Sequence, residues 1–159
     1  MKISNALKLI GAIFICQLAG VVGSLFTYRA IPLWYASLAK PPFNPPNWIF
    51  GPVWLTLYTL MGISAFIVWT KGWERREVKT AIYVFAGQLV LNALWSVIFF
   101  GLRSPLYAFI GILVLWLFII LTVYYFYKIS KAAGLLLLPY LLWVSFAAVL
   151  NLSIAILNA

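Results

Sequence analysis

Histidine is absent from the 159-residue chain, and cysteine occurs once, at position 16. Without histidine there is no imidazole for axial haem ligation, for zinc catalysis or for acid–base chemistry. A single cysteine forms neither an intrachain disulfide nor a cysteine metal cluster. The sequence therefore predicts no metal site and no required cofactor, and it excludes the enzyme classes that depend on these side chains.

Charged residues are also scarce, at 8% of the chain, and only two are acidic, Glu74 and Glu77. The net charge is +9, but the basic residues lie in short breaks between apolar runs and form no basic face or arm. Nucleic acid is therefore not a predicted partner. Ion-coupled transporters and proton pumps usually carry ionisable groups at membrane depth, so the uncharged interiors of these runs disfavour that class.

Hydrophobic residues are what the chain has instead, at 66% of its length. A soluble domain of this size could not bury so much apolar surface. Uncharged runs cover residues 9–28, 41–70, 80–102, 104–127 and 132–159, and a helix of roughly 20 residues crosses the hydrocarbon core. We predict an all-α membrane protein, one domain over residues 1–159, with five transmembrane helices at about 6–28, 47–70, 79–100, 104–127 and 133–156.

The connector between the first two predicted helices is rich in proline and aromatic residues. Residues 34–54 hold five of the eight prolines and three of the eight tryptophans. Because proline fixes φ and pushes the preceding residue out of the helical region, Pro41-Pro42 and Pro45-Pro46 cannot lie inside a helix. We predict that this stiff connector between the first two helices forms a lid over a pocket in the bundle.

The distribution of basic residues predicts the orientation in the membrane. Eight of the eleven Lys and Arg residues lie on the side of the N-terminus, and three, Arg29, Lys40 and Arg103, lie on the other. Since cytoplasmic loops carry the excess of Lys and Arg, we expect a cytoplasmic N-terminus, with the lid and the C-terminus outside. The first run, preceded by Lys2 and Lys8, has the outline of a signal peptide. It is longer than a typical signal core, so we expect it to be retained as a span, with cleavage as the alternative.

Aromatic and amide residues recur at helical spacing on three predicted helices. Residues four apart share one helix face. A bundle core of indoles, phenols and amides suits a flat aromatic ligand, because rings stack and amides orient. The alternative is that Trp and Tyr mark the membrane interfaces and that Asn and Gln only bond neighbouring helices. The sets are Phe50, Trp54 and Tyr58; Gln88, Asn92 and Trp95/Ser96; and Pro139, Trp143, Ala147 and Leu150/Asn151.

Four motifs together resemble the tryptophan-rich sensory protein family, also known as translocator protein or peripheral-type benzodiazepine receptor. The resemblance covers essentially all five predicted helices. The motifs are Trp34-Tyr35-x-x-Leu38-x-Lys40-Pro41-x-Phe43-x-Pro45-Pro46, Phe50-x-x-Val53-Trp54-x-x-Leu57-Tyr58-x-x-Met61-Gly62, Gln88-x-x-Leu91-Asn92-x-x-Trp95-Ser96-x-x-Phe99-Phe100 and Leu138-Pro139-Tyr140-x-x-Trp143-x-x-Phe146-Ala147-x-x-Leu150-Asn151.

The resemblance implies a five-helix bundle, commonly a homodimer in membrane lipid, with a pocket under the first loop. It implies a receptor or sensor for porphyrins such as protoporphyrin IX and for other hydrophobic aromatic molecules. Trp54 and Trp143 match tryptophans that are linked in bacterial relatives to light-dependent porphyrin degradation, so they are the candidate catalytic residues. The implied ligand-binding residues are Tyr35, Pro45, Phe50, Trp54, Tyr58, Asn92, Trp143, Ala147 and Leu150.

Other interpretations remain open beside the receptor. The helix-three polar stripe also fits a transporter of tetrapyrroles or lipids, and the whole chain fits a structural membrane scaffold. Sterol binding is not expected, because animal members carry a sterol motif with Tyr and a basic residue at the end of helix five. Residues 152–159 of this chain contain neither.

Overall fold

The structure, a computed structural model, describes residues 3–159 and is helical nearly throughout, with no strand in that range. Five segments are long and apolar enough to cross a membrane, so the prediction of an all-α five-helix membrane protein is confirmed. The helices are α1 (Ile3–Ala30), α2 (Asn47–Trp69), α3 (Arg76–Ser96), α4 (Pro105–Ile129), α5 (Lys131–Leu136) and α6 (Leu138–Leu157).

Two helices extend beyond the predicted ends through a turn of π-helix. α1 continues as Ile31–Tyr35 and α3 as Val97–Gly101. Pro32 lies in the first π turn, and proline within a continuous helix removes a backbone hydrogen bond and disturbs regular α-helix. The first span therefore ends at Tyr35, seven residues beyond the predicted position 28.

The fifth span is made of two helices in succession. α5 and α6 are separated at Leu137, and Pro139 lies in the first turn of α6. Proline lacks a donor and is compatible with the first turn of a helix but not with its interior. The interruption therefore falls where the proline requires it, and α5 with α6 forms the span Lys131–Leu157.

Two buried clusters form the protein core. The larger lies between α2, α3, α4 and α5/α6 and includes Met61, Val78 and Phe126, all without exposed surface. The smaller joins the lid to the far ends of the helices through Tyr35, Phe99 and neighbouring residues. α1 packs against α2 and α3 and keeps many apolar side chains exposed, as expected of a helix that faces lipid on most sides.

A glycine permits the closest approach of α1 and α2. A Cβ atom on Gly62 would lie 2.5 Å from the Ile13 Cα atom and 2.8 Å from its backbone nitrogen. Because backbone atoms cannot move aside cheaply, only glycine fits at this crossing, as is common where membrane helices touch. Lys2, counted above among the basic residues of the N-terminal side, lies outside the described residues.

Candidate functional site

A cavity of about 420 Å³ lies between α1, α2, the end of α3 and α6, next to the lid. Pockets for small organic ligands commonly measure roughly 300–1,000 Å³, so the space is adequate for a ligand of that kind. Its wall is mostly apolar, and among the described residues no Asp, Glu, Lys or Arg lines it. The aromatic residues of the wall are Tyr35, Phe50, Trp54, Tyr58, Trp95, Phe99, Phe100 and Trp143.

The α2 and α6 sides of the cavity are held in place by ring contacts. Trp54 stacks on Tyr58 one helical turn later, with centroids 5.4 Å apart and planes at 28°. Phe50 meets Trp143 edge to face at 5.9 Å and 70°. Offset stacking and edge-to-face contacts are the favoured aromatic geometries. The i, i+4 spacing along α2 thus positions one continuous aromatic wall.

The α1 side of the cavity includes Gln17 and Val21 and four small or hydroxyl-bearing residues, Gly20, Gly23, Ser24 and Thr27. A Cβ atom on Gly20 would lie 2.5 Å from Cε2 of Tyr58. The Tyr58 ring can therefore lie against α1 only because residue 20 has no side chain. Sequence reasoning did not assign this wall to the site. Its signals were the small-residue spacings Ala19-x-x-x-Gly23 and Gly20-x-x-x-Ser24, which also fit ordinary helix packing.

The two π turns meet at the lid end of the cavity. Tyr35 lies 6.2 Å from Phe99 and 5.8 Å from Phe100, measured between ring centroids. Trp95 stacks on Phe99 at 5.2 Å, and its indole N–H donates to Asn151 Oδ1 at 3.0 Å. Single π turns within α-helices are frequent at functional sites, because they redirect side chains. Here they direct aromatic rings into the cavity.

The lid is held by contacts within it and by a pair of hydrogen bonds to Asn158, just beyond the end of α6. The Tyr35 hydroxyl donates to Asn44 Oδ1 at 2.7 Å, and Lys40 Nζ lies 4.9 Å from the centroid of the Tyr35 ring. Near the C-terminus, Asn158 forms a pair of hydrogen bonds with the backbone of Ala39. The Ala39 N–H donates to Asn158 Oδ1, and Asn158 Nδ2 donates to the Ala39 carbonyl, each at 2.9 Å.

Beneath the aromatic wall, four buried polar side chains form a hydrogen-bonded chain. The Tyr58 hydroxyl donates to Asn92 Oδ1. Asn92 Nδ2 donates to the Tyr140 hydroxyl at 3.0 Å, and that hydroxyl donates to Gln88 Oε1 at 2.8 Å. Of the four, only Tyr58 lines the cavity.

The structure brings most of the predicted ligand-binding residues together. Tyr35, Trp54, Trp143 and their neighbours Phe50, Tyr58, Ala147 and Leu150 line one cavity. Asn92 and Pro45 do not line it. Asn92 lies behind Tyr58 with both ends of its amide bonded to tyrosine hydroxyls, and Pro45 lies in the lid, where its carbonyl accepts from Asn44 Nδ2 at 3.2 Å.

Among residues 3–159, no three His, Cys, Asp or Glu side chains are grouped as a metal site would require. The cavity therefore offers stacking surfaces, indole and phenol groups, and few polar atoms. Fold and site together define a multi-pass α-helical membrane protein with a neutral aromatic cavity inside its bundle.

Comparison with known proteins identifies the family of this membrane protein. The chain belongs to the TspO/MBR family, whose sequence model matches residues 12–157. It is 47% identical over 156 residues to the tryptophan-rich protein TspO of Archaeoglobus fulgidus, covering 98% of this chain and 99% of that one. It is 37% identical over 143 residues to the translocator protein of Bos taurus, covering 89% and 85% of the two chains. To the tryptophan-rich sensory protein of Cereibacter sphaeroides it is 37% identical over 125 residues, covering 79% and 77%. The resemblance stated from the motifs is thereby confirmed.

Proposed function

We propose that this protein is a membrane receptor or sensor that binds porphyrins, such as protoporphyrin IX, and related flat aromatic molecules in the cavity. The observation that carries the proposal is the aromatic wall of Trp54, Tyr58, Phe50 and Trp143 around a neutral space of about 420 Å³. A macrocycle gains stacking and apolar burial against such a wall. Relatives named as sensory and translocator proteins support this class of role.

Titration of the purified protein with protoporphyrin IX, followed by quenching of tryptophan fluorescence, tests the proposal. Trp143→Phe should weaken binding by up to roughly fivefold, because an indole stacking partner contributes on the order of 1 kcal/mol beyond the area it buries. Trp116 provides the matched control, since it does not line the cavity and its N–H donates to Ser145 Oγ at 2.8 Å. Trp116→Phe should bind as the parent does. Equal affinity in all three proteins, or no micromolar binding in the parent, refutes the proposal.

A further part of the proposal is light-dependent degradation of the bound porphyrin at Trp54 and Trp143. Both indoles line the cavity, and so does Tyr35 at the start of the lid. The excited macrocycle transfers its energy to dioxygen, and the singlet dioxygen that forms adds across a C=C bond of the porphyrin ring. The O–O bond and that carbon–carbon bond then break, so each carbon keeps one oxygen atom as a carbonyl and the macrocycle opens. Trp54 and Trp143 hold the macrocycle in the orientation in which this bond reacts. This route requires neither a metal ligand nor a histidine.

Illumination of the complex while absorption spectra are recorded tests this degradation. We expect a distinct product band in the parent that is absent from Trp54→Phe and from Trp143→Phe, with porphyrin still bound at saturating concentration. Trp116→Phe should give the parent spectrum. Featureless bleaching at the same rate in every protein shows that Trp54 and Trp143 take no part in the degradation.

Transport is the second candidate function, favoured by relatives named translocator protein. Movement of porphyrin across proteoliposomes, with and without protein, separates the two functions. A receptor retains porphyrin in proportion to the protein present and does not accelerate equilibration. Faster equilibration that is lost when the cavity is filled by Ala147→Trp assigns transport instead.

The protein is an integral multi-pass membrane protein, and we propose that its N-terminus is cytoplasmic and that it forms homodimers. The support for the orientation is the excess of Lys and Arg on the N-terminal side. In a Cys16→Ser background, Ser130→Cys and Ser37→Cys place single thiols at opposite ends of the bundle. An impermeant thiol reagent applied outside intact cells should label Ser37→Cys only; the reverse pattern inverts the topology.

Light scattering with chromatography in detergent measures the oligomeric state.

A further inference from the structure

The buried chain beneath the cavity ends on an unpaired polar atom. Gln88 is 1% exposed, its Oε1 accepts from Tyr140, and its Nε2 has no hydrogen-bond partner among residues 3–159. An unpaired buried N–H is rare in folded proteins and unfavourable, most of all where lipid surrounds the bundle. The chain therefore has one satisfied end, at Tyr58 on the cavity, and one unsatisfied end, at Gln88.

Each member of this chain can reverse its hydrogen-bonding role in place. A hydroxyl both donates and accepts, and half a turn of a side-chain amide exchanges its donor and its acceptor. After reversal, Gln88 Nε2 donates to Tyr140, the Tyr140 hydroxyl donates to Asn92, and Asn92 donates to Tyr58. All three bonds of the observed chain are retained with opposite polarity. Only the unpaired atom changes, from Gln88 Nε2 to Gln88 Oε1.

The two directions give the Tyr58 hydroxyl opposite properties. In the observed direction its hydrogen is engaged by Asn92, so its oxygen is left as an acceptor. In the reversed direction Asn92 donates to that oxygen, so the hydrogen is left as a donor. Since Tyr58 is the member that lines the cavity, it is the one through which the chain reaches a ligand.

We propose that Tyr58, Asn92, Tyr140 and Gln88 form a reversible hydrogen-bond chain that lets the cavity bind aromatic ligands carrying either a donor or an acceptor. Gln88 and Tyr140 are positioning residues in this proposal, because they act through Tyr58 and do not line the cavity. The inference rests on the proposed function as a receptor for flat aromatic molecules and deepens it. It gives the same pocket tolerance for two opposite ligand chemistries.

Two tricyclic probes of closely similar shape test the chain: carbazole, which presents an N–H donor, and fluorenone, which presents a C=O acceptor. Saturable binding of each is measured in lipid nanodiscs. The parent should bind both. Tyr58→Phe should weaken both by roughly three- to tenfold, the loss expected for one hydrogen bond.

Two variants away from the cavity should shift the preference in opposite directions. Gln88→Met has nearly the same length but only a weak acceptor, so it favours the observed direction. It should lower the affinity for fluorenone by roughly threefold or more and leave the affinity for carbazole unchanged. Tyr140→Phe keeps the ring that meets Trp54 edge to face at 6.2 Å, but it removes the acceptor of Asn92 Nδ2. A buried N–H without a partner is rarer than a buried C=O without one, so the Asn92 amide should rotate and donate to Tyr58. The Tyr58 hydroxyl then no longer accepts, and the affinity for carbazole should fall.

A purely structural role for Gln88 and Tyr140 predicts a different pattern, with both probes weakened alike. Ser64→Ala is the control, because Ser64 is buried but does not belong to the hydrogen-bond chain. Its hydroxyl donates to the Ala133 carbonyl at 2.7 Å. It should lower thermal stability and leave the ratio of the two affinities at the parent value. Adding Tyr58→Phe to Gln88→Met or to Tyr140→Phe should abolish each shift in preference.

The proposed reversal of the hydrogen-bond chain is refuted if Gln88→Met and Tyr140→Phe each lower the affinity for both probes equally. It is also refuted if the shift in preference persists in variants that lack the Tyr58 hydroxyl. A parent that binds protoporphyrin IX but fails to bind both tricycles also overturns it and leaves the proposed function standing. If the parent binds both tricycles but no porphyrin, and the variants show the expected shifts, the reversible hydrogen-bond chain is supported and the porphyrin assignment is refuted.

Discussion

At the scale of single residues, the shape of the cavity depends on side chains that are absent. Gly20 lines the cavity, and the Tyr58 ring occupies the volume in which a Cβ atom of residue 20 would lie. Tyr58 in turn stacks on Trp54 and donates to Asn92. One missing methyl group therefore supports both the aromatic wall and the buried polar chain.

We predict that Gly20→Ala destabilises the protein by about 1–3 kcal/mol, the usual result of overpacking a filled site. Because Tyr58 must move, the affinity for protoporphyrin IX should fall as well. Gly11 is the matched control on the same helix, since a Cβ atom added there would have no neighbour within 4 Å. Gly11→Ala should be neutral or stabilising, as alanine is the better helix former. Thermal unfolding in detergent and fluorescence titration measure the two effects, and equal behaviour of both variants contradicts the argument.

At the scale of elements, the lid is a segment tied to distant parts of the chain. Pro41-Pro42 and Pro45-Pro46 lie in residues 38–46, which are non-helical. Asn158, 119 residues from Ala39, bonds both polar groups of the Ala39 backbone. A third bond, from Asn158 Nδ2 to the Ile154 carbonyl at 2.8 Å, anchors the amide on α6. Lid opening therefore requires the loss of hydrogen bonds to the end of α6.

Removal of this attachment should increase the rate at which ligand leaves. We predict that Asn158→Leu raises the dissociation rate of protoporphyrin IX by roughly two- to tenfold, since each net hydrogen bond contributes about 0.5–1.5 kcal/mol. Stopped-flow displacement measures the rate. Ser153→Ala serves as the control, because Ser153 on the same helix bonds only the Val149 carbonyl of its own helix. A dissociation rate in Asn158→Leu equal to that of the Ser153 variant shows that the lid is not rate-limiting.

At the scale of the whole molecule, the first span, which contains α1, has the smallest share of buried residues of the five spans. It contacts α2 and α3, while α4 joins α3, α5 and α6 in the larger core. The cavity is bounded by α1 on one side. Cys16, the only thiol, is 1% exposed and points from α1 into the bundle. Its accessibility therefore reports separation of α1 from the other helices.

We expect a membrane-permeant maleimide to label Cys16 slowly, and bound protoporphyrin IX to slow the labelling further, because a ligand that fills the cavity favours the closed bundle. Phe14→Cys in a Cys16→Ser background gives the control, since Phe14 is 60% exposed on the same helix. Its labelling should be faster and independent of ligand. Identical ligand dependence at both positions attributes the effect to the membrane and not to the bundle.

The class of the fold and the aromatic wall follow from residue patterns that are visible in the sequence. Long uncharged runs must form helices in lipid, because every backbone N–H and C=O needs a partner within the segment. Residues four apart on one helix share a face, so their spacing alone assigns Phe50, Trp54 and Tyr58 to one wall. Three features were visible only in the folded molecule: α1 supplies the opposite wall, Asn92 lies behind Tyr58, and Asn158 bonds Ala39. These contacts join residues far apart in the chain. Helical periodicity specifies which residues share a face, but packing between helices decides which face each one meets.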